Sequence, residues 1–155
     1  MLTIWYNSCM IIEDELLINA PVDAVWQLTT DVEAWPQLSP TTMTRVERLD
    51  AVDGPMHVGS QARIKQPGQR PAVWTVTDYR PNASFVWETA VYGIKTVATH
   101  TLSEVDGSCR NQLRIEMTGR GSKLLGRLLA GRVRKTISTE NRCFKAKAEA
   151  MAASV

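Results

Sequence analysis

The sequence predicts an α+β domain in which a curved antiparallel sheet is wrapped around one long C-terminal helix. Three observations carry this. Between Thr41 and Met117, short stretches rich in Val, Ile, Thr and aromatics alternate with turn residues. The gaps between consecutive stretches are short enough for hairpins, which makes the sheet antiparallel. After Gly119 the apolar spacing changes from two to between three and four, and one amphipathic helix runs almost to the end.

The elements follow in order. Thr3 to Ile18 reads as a first strand, bent along its length, with Leu16 and Ile18 alternating with Leu17 and Asn19. Pro21 fits the first position of a helix and Asp23 its first turn, with Val22, Val25, Trp26 and Thr29 on one face. Asp31 can cap a second short helix, which Trp35-Pro36 is expected to end. Strands are expected near Thr42–Leu49, Ser60–Gln66, Ala72–Tyr79, Ser84–Val91, Ile94–Ser103 and Cys109–Thr118. Pro67-Gly68, Pro81-Asn82, Tyr92-Gly93 and Asp106-Gly107 punctuate them. Seven strands result. Ser122 can cap a helix to Ala150, about 43 Å long. Leu125, Leu128, Leu129, Val133, Thr136, Ile137, Phe144 and Ala148 share one side of it; Lys123, Arg127, Arg134, Lys135, Arg142 and Lys145 share the other.

The chain of 155 residues suits one domain, residues 1–155, with an ordinary apolar content of 44%. Cys9, Cys109 and Cys143 are odd in number and show no paired spacing, so neither a disulfide framework nor a zinc site is expected, and a reducing, cytoplasmic setting is the simpler reading. No apolar run reaches the length of a membrane span, and Leu2 to Ile12 lacks the flanks of a signal peptide. Net charge is only +2, but from Gly119 onward nine Lys/Arg face two Asp/Glu.

The segment Ile18-Asn19-Ala20-Pro21-Val22-Asp23-Ala24-Val25-Trp26, followed by Asp31 to Trp35-Pro36, Val58-Gly59-Ser60, Trp74 to Pro81, the Asp106-Gly107-Ser108 turn and the terminal amphipathic helix, resembles the START-like superfamily. Within it the resemblance is to the polyketide cyclase/dehydrase and lipid-transport family (the SRPBCC or Bet v 1-like group), over nearly the whole chain. It implies a helix-grip fold, with two short helices after strand 1 and a cavity between sheet and terminal helix. Members bind lipids, sterols, polyketides, quinones and plant hormones, and some are aromatases or cyclases. The family has no universal catalytic motif, so the resemblance implies a pocket and not a mechanism.

Standard catalytic signatures are absent from the sequence: no GxSxG, Walker A, HExxH or EF-hand loop. Gly119-Arg120-Gly121 opens a helix, but Leu124 stands where a dinucleotide loop needs its third glycine. No cofactor is implied, and two distant histidines argue against a histidine-rich metal site. His57 reads as an exposed loop residue. His100 shares strand parity with Thr96, Ala98 and Leu102, and so faces the cavity if Leu102 does. Trp74, Phe85 and Trp87 either pave a pocket for a flat apolar ligand or fill the core. Trp35, beside Pro36, either stands near the cavity mouth as a lid or gate or fills the core. On the last strand Cys109, Asn111, Leu113, Ile115 and Met117 form the apolar side, with Asn111 placed either to orient a carbonyl or hydroxyl or to meet solvent.

Glu140 lies inside the helix's apolar arc, between the directions of Leu129 and Val133 and one turn before Phe144. A buried carboxylate is costly, so it must pair with Lys147, Arg132 or a sheet arginine, meet water, or shift its pKa upward. Glu140 and His100 are the candidate catalytic pair.

Three functions stay open. The first is binding or transport of a small hydrophobic ligand such as a lipid, polyketide or quinone. The second is an aromatase/cyclase-type enzyme. The third is a lipid or quinone chaperone that contacts membranes peripherally through its basic helix face. Nucleic acid is not an expected partner, and the chain is read as a monomer or homodimer.

Overall fold

The computed structural model describes residues 3–6, 9–50, 54–119 and 122–154. Arg120 and Gly121, and the side chains of Ser122, Lys123 and Leu125, lie outside the described residues, so the expected cap and that part of both helix faces do too. The chain runs β1 (Thr3–Tyr6), β2 (Cys9–Ile18), α1 (Val22–Thr30), a 3₁₀ turn (Val32–Ala34), α2 (Trp35–Leu38), β3 (Arg45–Arg48), β4 (Gln61–Lys65), β5 (Ala72–Arg80), β6 (Ser84–Val91), β7 (Ile94–Val105), β8 (Ser108–Gly119) and α3 (Ser122–Ala152). The strands form one sheet in the order β1-β2-β8-β7-β6-β5-β4-β3, antiparallel throughout.

The architecture matches the expectation, with one strand more. The expected first strand is two, β1 and β2, paired with each other from Thr3↔Ile12 to Tyr6↔Cys9. Pro36 does not end a helix. It stands in the first turn of α2, where a missing N–H costs nothing, and Asp31 makes no side-chain cap there. Pro21 likewise is the residue before α1 and not its first.

Two-residue turns join β6 to β7 (Tyr92-Gly93) and β7 to β8 (Asp106-Gly107), and both residues of each have positive φ. That geometry follows the twist of the strands and suits Asp-Gly. Tyr92, at φ 53° and 80% exposed, gains no packing in return for the left-handed backbone. Tyr92→Asn should therefore raise stability by about 1 kcal/mol, read as a rise in Tm of roughly 2–4 °C. Gly119 at the end of β8 has no such freedom: an added Cβ would lie 2.3 Å from the Gly93 carbonyl oxygen.

A bulge between Val76 and Asp78 shifts the register of β5 against β6. Trp74 and Val76 alternate onto the inner face, and after the extra residue Tyr79, opposite Phe85, takes the inner position. Its ring meets Trp26 from α1, centroids 5.4 Å apart.

The long helix packs chiefly on β2, with β8 and α1 beside it. Its C-terminal half is tied to β2 by polar bonds: Lys145 Nζ donates to the Leu17 carbonyl at 2.8 Å, and Glu149 accepts from the Asn19 N–H at 2.8 Å. Lys145 also pairs with Glu149, so the basic face is less free than its sequence suggests. Toward the helix start, Leu124 and Leu128 are exposed, and Leu128 is thus not on the packed side. Arg132 reaches from mid-helix to the Pro67 carbonyl in the β4–β5 turn. No helix among the described residues is long and apolar enough to cross a membrane.

Candidate functional site

The interior between sheet and helix is two apolar clusters with polar side chains between them. One cluster holds Ile18, Trp26, Trp35, Phe85, Trp87, Leu102 and Phe144 among others; the second holds Met10, Ile12, Leu113, Met117 and Ile137. Each element that crosses the boundary carries a polar residue there. On β2 it is Asp14, between Ile12 and Ile18. On β8 it is Asn111, between Cys109 and Leu113. On α3 it is the pair Glu140-Asn141, between Ile137 and Phe144. Strand alternation and helical spacing put these residues on the same inward face as their apolar neighbours.

Aromatic rings line the first cluster. His100 stacks on Phe85, its strand partner, with ring centroids 4.5 Å apart and planes 12° apart. Trp35 lies against His100, Trp87 and Phe144, all at 5.4–5.8 Å. Trp74, half-buried, meets Trp87 at 5.5 Å. The indole N–H of Trp35 donates to the Leu28 carbonyl at 3.1 Å, which satisfies its only donor.

Trp35 does not stand exposed at the mouth; its ring is driven into the interior, 3% exposed. Proline at the next position fixes the first turn of α2, and that turn aims the indole inward. The roomy hollow implied by the resemblance is correspondingly small. The gap bounded by Trp35, Leu38, Ser39, Met43, Glu140 and Phe144 is nowhere wide enough for a water molecule.

Glu140 is 7% exposed and, among the described residues, is in no ion pair. The expected bridge to Arg132, Lys147 or a sheet arginine is not formed; Arg132 serves the Pro67 carbonyl instead. Burial pushes the Glu140 carboxyl up to about 7, and a hydrogen bond from the Thr42 hydroxyl pulls only weakly the other way. His100 is 5% exposed, and burial pushes its imidazole down to about 3, so the ring is neutral at physiological pH.

Asn111 is fully buried, which decides between the two sequence readings of it: it does not meet solvent. Its Nδ2 donates to Asn141 Oδ1 at 2.9 Å, and Asn141 Nδ2 donates to Asp14 Oδ2 at 3.0 Å. Neither Asn141 nor Asp14 was singled out in the sequence. Asparagine is a poor helix former, and Asn141 in mid-helix was the signal available.

Among the described residues, three buried side-chain atoms have no hydrogen-bond partner: His100 Nδ1, Asn111 Oδ1 and Glu140 Oε1. These belong to the three polar residues that strand parity and the helical wheel selected. Of the apolar candidates, Phe85, Trp87 and Phe144 meet His100 or Trp35 in the first cluster. Leu113 belongs to the second cluster, Val133 packs against it, and Ile115 touches both. Leu129 is half-buried and belongs to neither.

A curved antiparallel sheet gripping a C-terminal helix, with short helices after the leading hairpin, defines the helix-grip class. The sequence profile for polyketide cyclase / dehydrase and lipid transport matches residues 11–149, and the chain belongs to that family. Among curated proteins, a "Putative polyketide cyclase" of Streptomyces halstedii is 58% identical over 26 residues, a stretch that spans 17% of this chain and 24% of that protein.

Among solved structures, the di-domain ARO/CYC StfQ from the steffimycin biosynthetic pathway superposes with a TM-score of 0.76 at 16% identity, over 95% of this chain and 53% of that one. The chain thus spans about half the length of StfQ. The Zhui aromatase/cyclase from Streptomyces sp. R1128 gives a TM-score of 0.74 at 16% identity, covering 91% and 94%. Ara h 8.0201 gives 0.70 at 13% identity, covering 90% and 97%. At these identities the likeness shows the fold.

Proposed function

We propose that the protein binds a small, flat, largely apolar ligand bearing polar substituents, between the sheet and α3, in the space that Trp35 fills. One observation carries this reading: three polar atoms from β7, β8 and α3 are buried without partners in an aromatic-lined interior. An unpartnered buried polar atom costs about 1–3 kcal/mol, and a ligand with matching groups would recover it. Membership of the family and the likeness in fold to aromatase/cyclases support a polyketide-like ligand. The interior beside Trp35 has no space wide enough even for water, against the several hundred Å³ of usual ligand pockets, so entry requires Trp35 to swing aside. That movement breaks the hydrogen bond from the indole to the Leu28 carbonyl and the ring contacts to Trp87, His100 and Phe144.

Thermal unfolding with added 2-naphthol tests the proposal. At about a hundred times its Kd the ligand should stabilise the fold by about 3 kcal/mol, a rise in Tm of roughly 5–10 °C. No rise with 2-naphthol or with naphthalene would sink it.

A second reading, an aromatase/cyclase-type activity, is favoured by Glu140 alone. A carboxyl that titrates near 7 can take a proton from the carbon beside a ketone and return it to oxygen, with the neutral His100 ring bonding the enol. Under this reading Glu140→Gln abolishes turnover of an enolisable polyketone and keeps most of the binding affinity. Turnover unchanged in that variant would end it.

A further inference from the structure

We infer that Asp14 and Asn141 fix the side-chain amide of Asn111 so that its carbonyl oxygen, and not its NH₂, is the atom offered to the interior, which selects a flat aromatic guest carrying a hydroxyl donor. This rests on the ligand-binding reading above and names the chemistry of its ligand.

The orientation follows from donor and acceptor types. The Asn141 atom 3.0 Å from Asp14 Oδ2 is also 3.4 Å from the Asn111 main-chain carbonyl. A carboxylate and a carbonyl only accept, so the Asn141 atom between them must be its NH₂. Its other end, the carbonyl oxygen, therefore faces Asn111 and accepts there at 2.9 Å. The Asn111 atom in that bond must in turn be NH₂. What remains of Asn111 is Oδ1, buried and unpartnered.

The chain Asp14, Asn141, Asn111 thus runs in one direction from the edge of the interior inward. Turning over either amide would set two acceptors or two donors against each other. On the sheet, Asn111 is diagonal to His100, since Leu113 stands opposite His100. Two unpartnered atoms therefore lie on adjoining strands of one face. A carbonyl-bearing guest has no bond to make with Asn111, whereas a phenol or enol does. Asp14 and Asn141 touch no guest in this account; they are positioning residues.

Isothermal titration calorimetry with naphthalene, 2-naphthol and 2-methoxynaphthalene tests this. The three share one ring system, but only 2-naphthol donates. The unaltered protein should bind 2-naphthol about tenfold more tightly than 2-methoxynaphthalene. In Asp14→Asn the outer partner both donates and accepts, so only the longer 3.4 Å contact to the Asn111 main-chain carbonyl still orders the amides and they can turn over. The preference should then fall to within about twofold, with naphthalene affinity unchanged.

Asn111→Leu should remove the preference as well; Asp14→Asn, at a half-buried position, keeps the test available if the leucine variant does not fold. Equal binding of the two oxygenated probes by the unaltered protein would overturn the inference and leave the cavity reading standing. So would a preference that survives Asp14→Asn. A merely structural Asp14 would weaken all three probes together with no change in their ratio, which also overturns it. If none of the three binds, the ligand-binding reading fails and the inference falls with it.

Discussion

Replacing Glu140 by leucine stabilises the protein at pH 8 by about 3 kcal/mol relative to the same substitution's effect at pH 4, a change of roughly 6–12 °C in Tm. In the folded chain the carboxyl titrates near 7, against 4.5 for an ordinary glutamate. Between those values the folded state keeps a proton that the unfolded state has released. The stability associated with Glu140 is therefore full below 4.5 and is lost as pH rises through 7. Leucine has no proton to lose and matches the apolar surroundings given by Trp35, Met43 and Phe144.

His100 acts in the opposite sense. Its imidazole titrates near 3 when folded against 6.5 when free, so its contribution is full above 6.5 and is lost as pH falls toward 3. Between 4.5 and 6.5 the two slopes oppose each other. Glu140→Leu should expose the histidine alone, as stability that rises with pH across that interval. Urea unfolding at pH 4, 5.5 and 8 reads both effects, and a pH-independent difference between the two proteins would contradict them.

The second large effect concerns Trp35. Trp35→Ala removes the ring packed against Trp87, His100 and Phe144 and should destabilise the fold by about 3–5 kcal/mol. The loss should be partly reversed by naphthalene. Removing the indole opens a space bounded by Leu38, Met43 and Phe144, and an apolar space of that kind takes up an apolar guest. The variant should therefore bind naphthalene more tightly than the unaltered protein does, because no ring has to be displaced first. Equal affinities would mean that the guest lies elsewhere, for instance in the surface hollow bordered by Pro21, Val22, Asn82 and Glu104.

Much of the fold was legible because it rests on local periodicity. Alternation located β6 to the residue and β7 and β8 to within two residues at either end, and the turn pairs Tyr92-Gly93 and Asp106-Gly107 stand where they were expected. Where local pattern and tertiary context part, the reading failed. The leading hairpin looked like one strand because its two arms are both apolar. The bulge in β5 reversed the parity that would have kept Tyr79 off the inner face.

The site divides in the same way. His100, Asn111 and Glu140 were found from strand parity and the helical wheel, which report which face a side chain is on. The inward aim of Trp35 was not legible because the direction of a one-turn helix depends on what it packs against. Asp14 shares the parity of Leu16 and Ile18, yet nothing in sequence joins it to Asn141 across the interior.

The central claim is that a guest enters between sheet and helix by displacing the Trp35 ring. Nuclear magnetic resonance on the ¹⁵N-labelled protein titrated with 2-naphthol tests it most directly. The indole N–H of Trp35, bonded to the Leu28 carbonyl, should lose that bond and shift, and the ligand's protons should show contacts to Phe85, His100 and Phe144. An unmoved Trp35 resonance, with ligand contacts confined to the outer surface, would contradict the account.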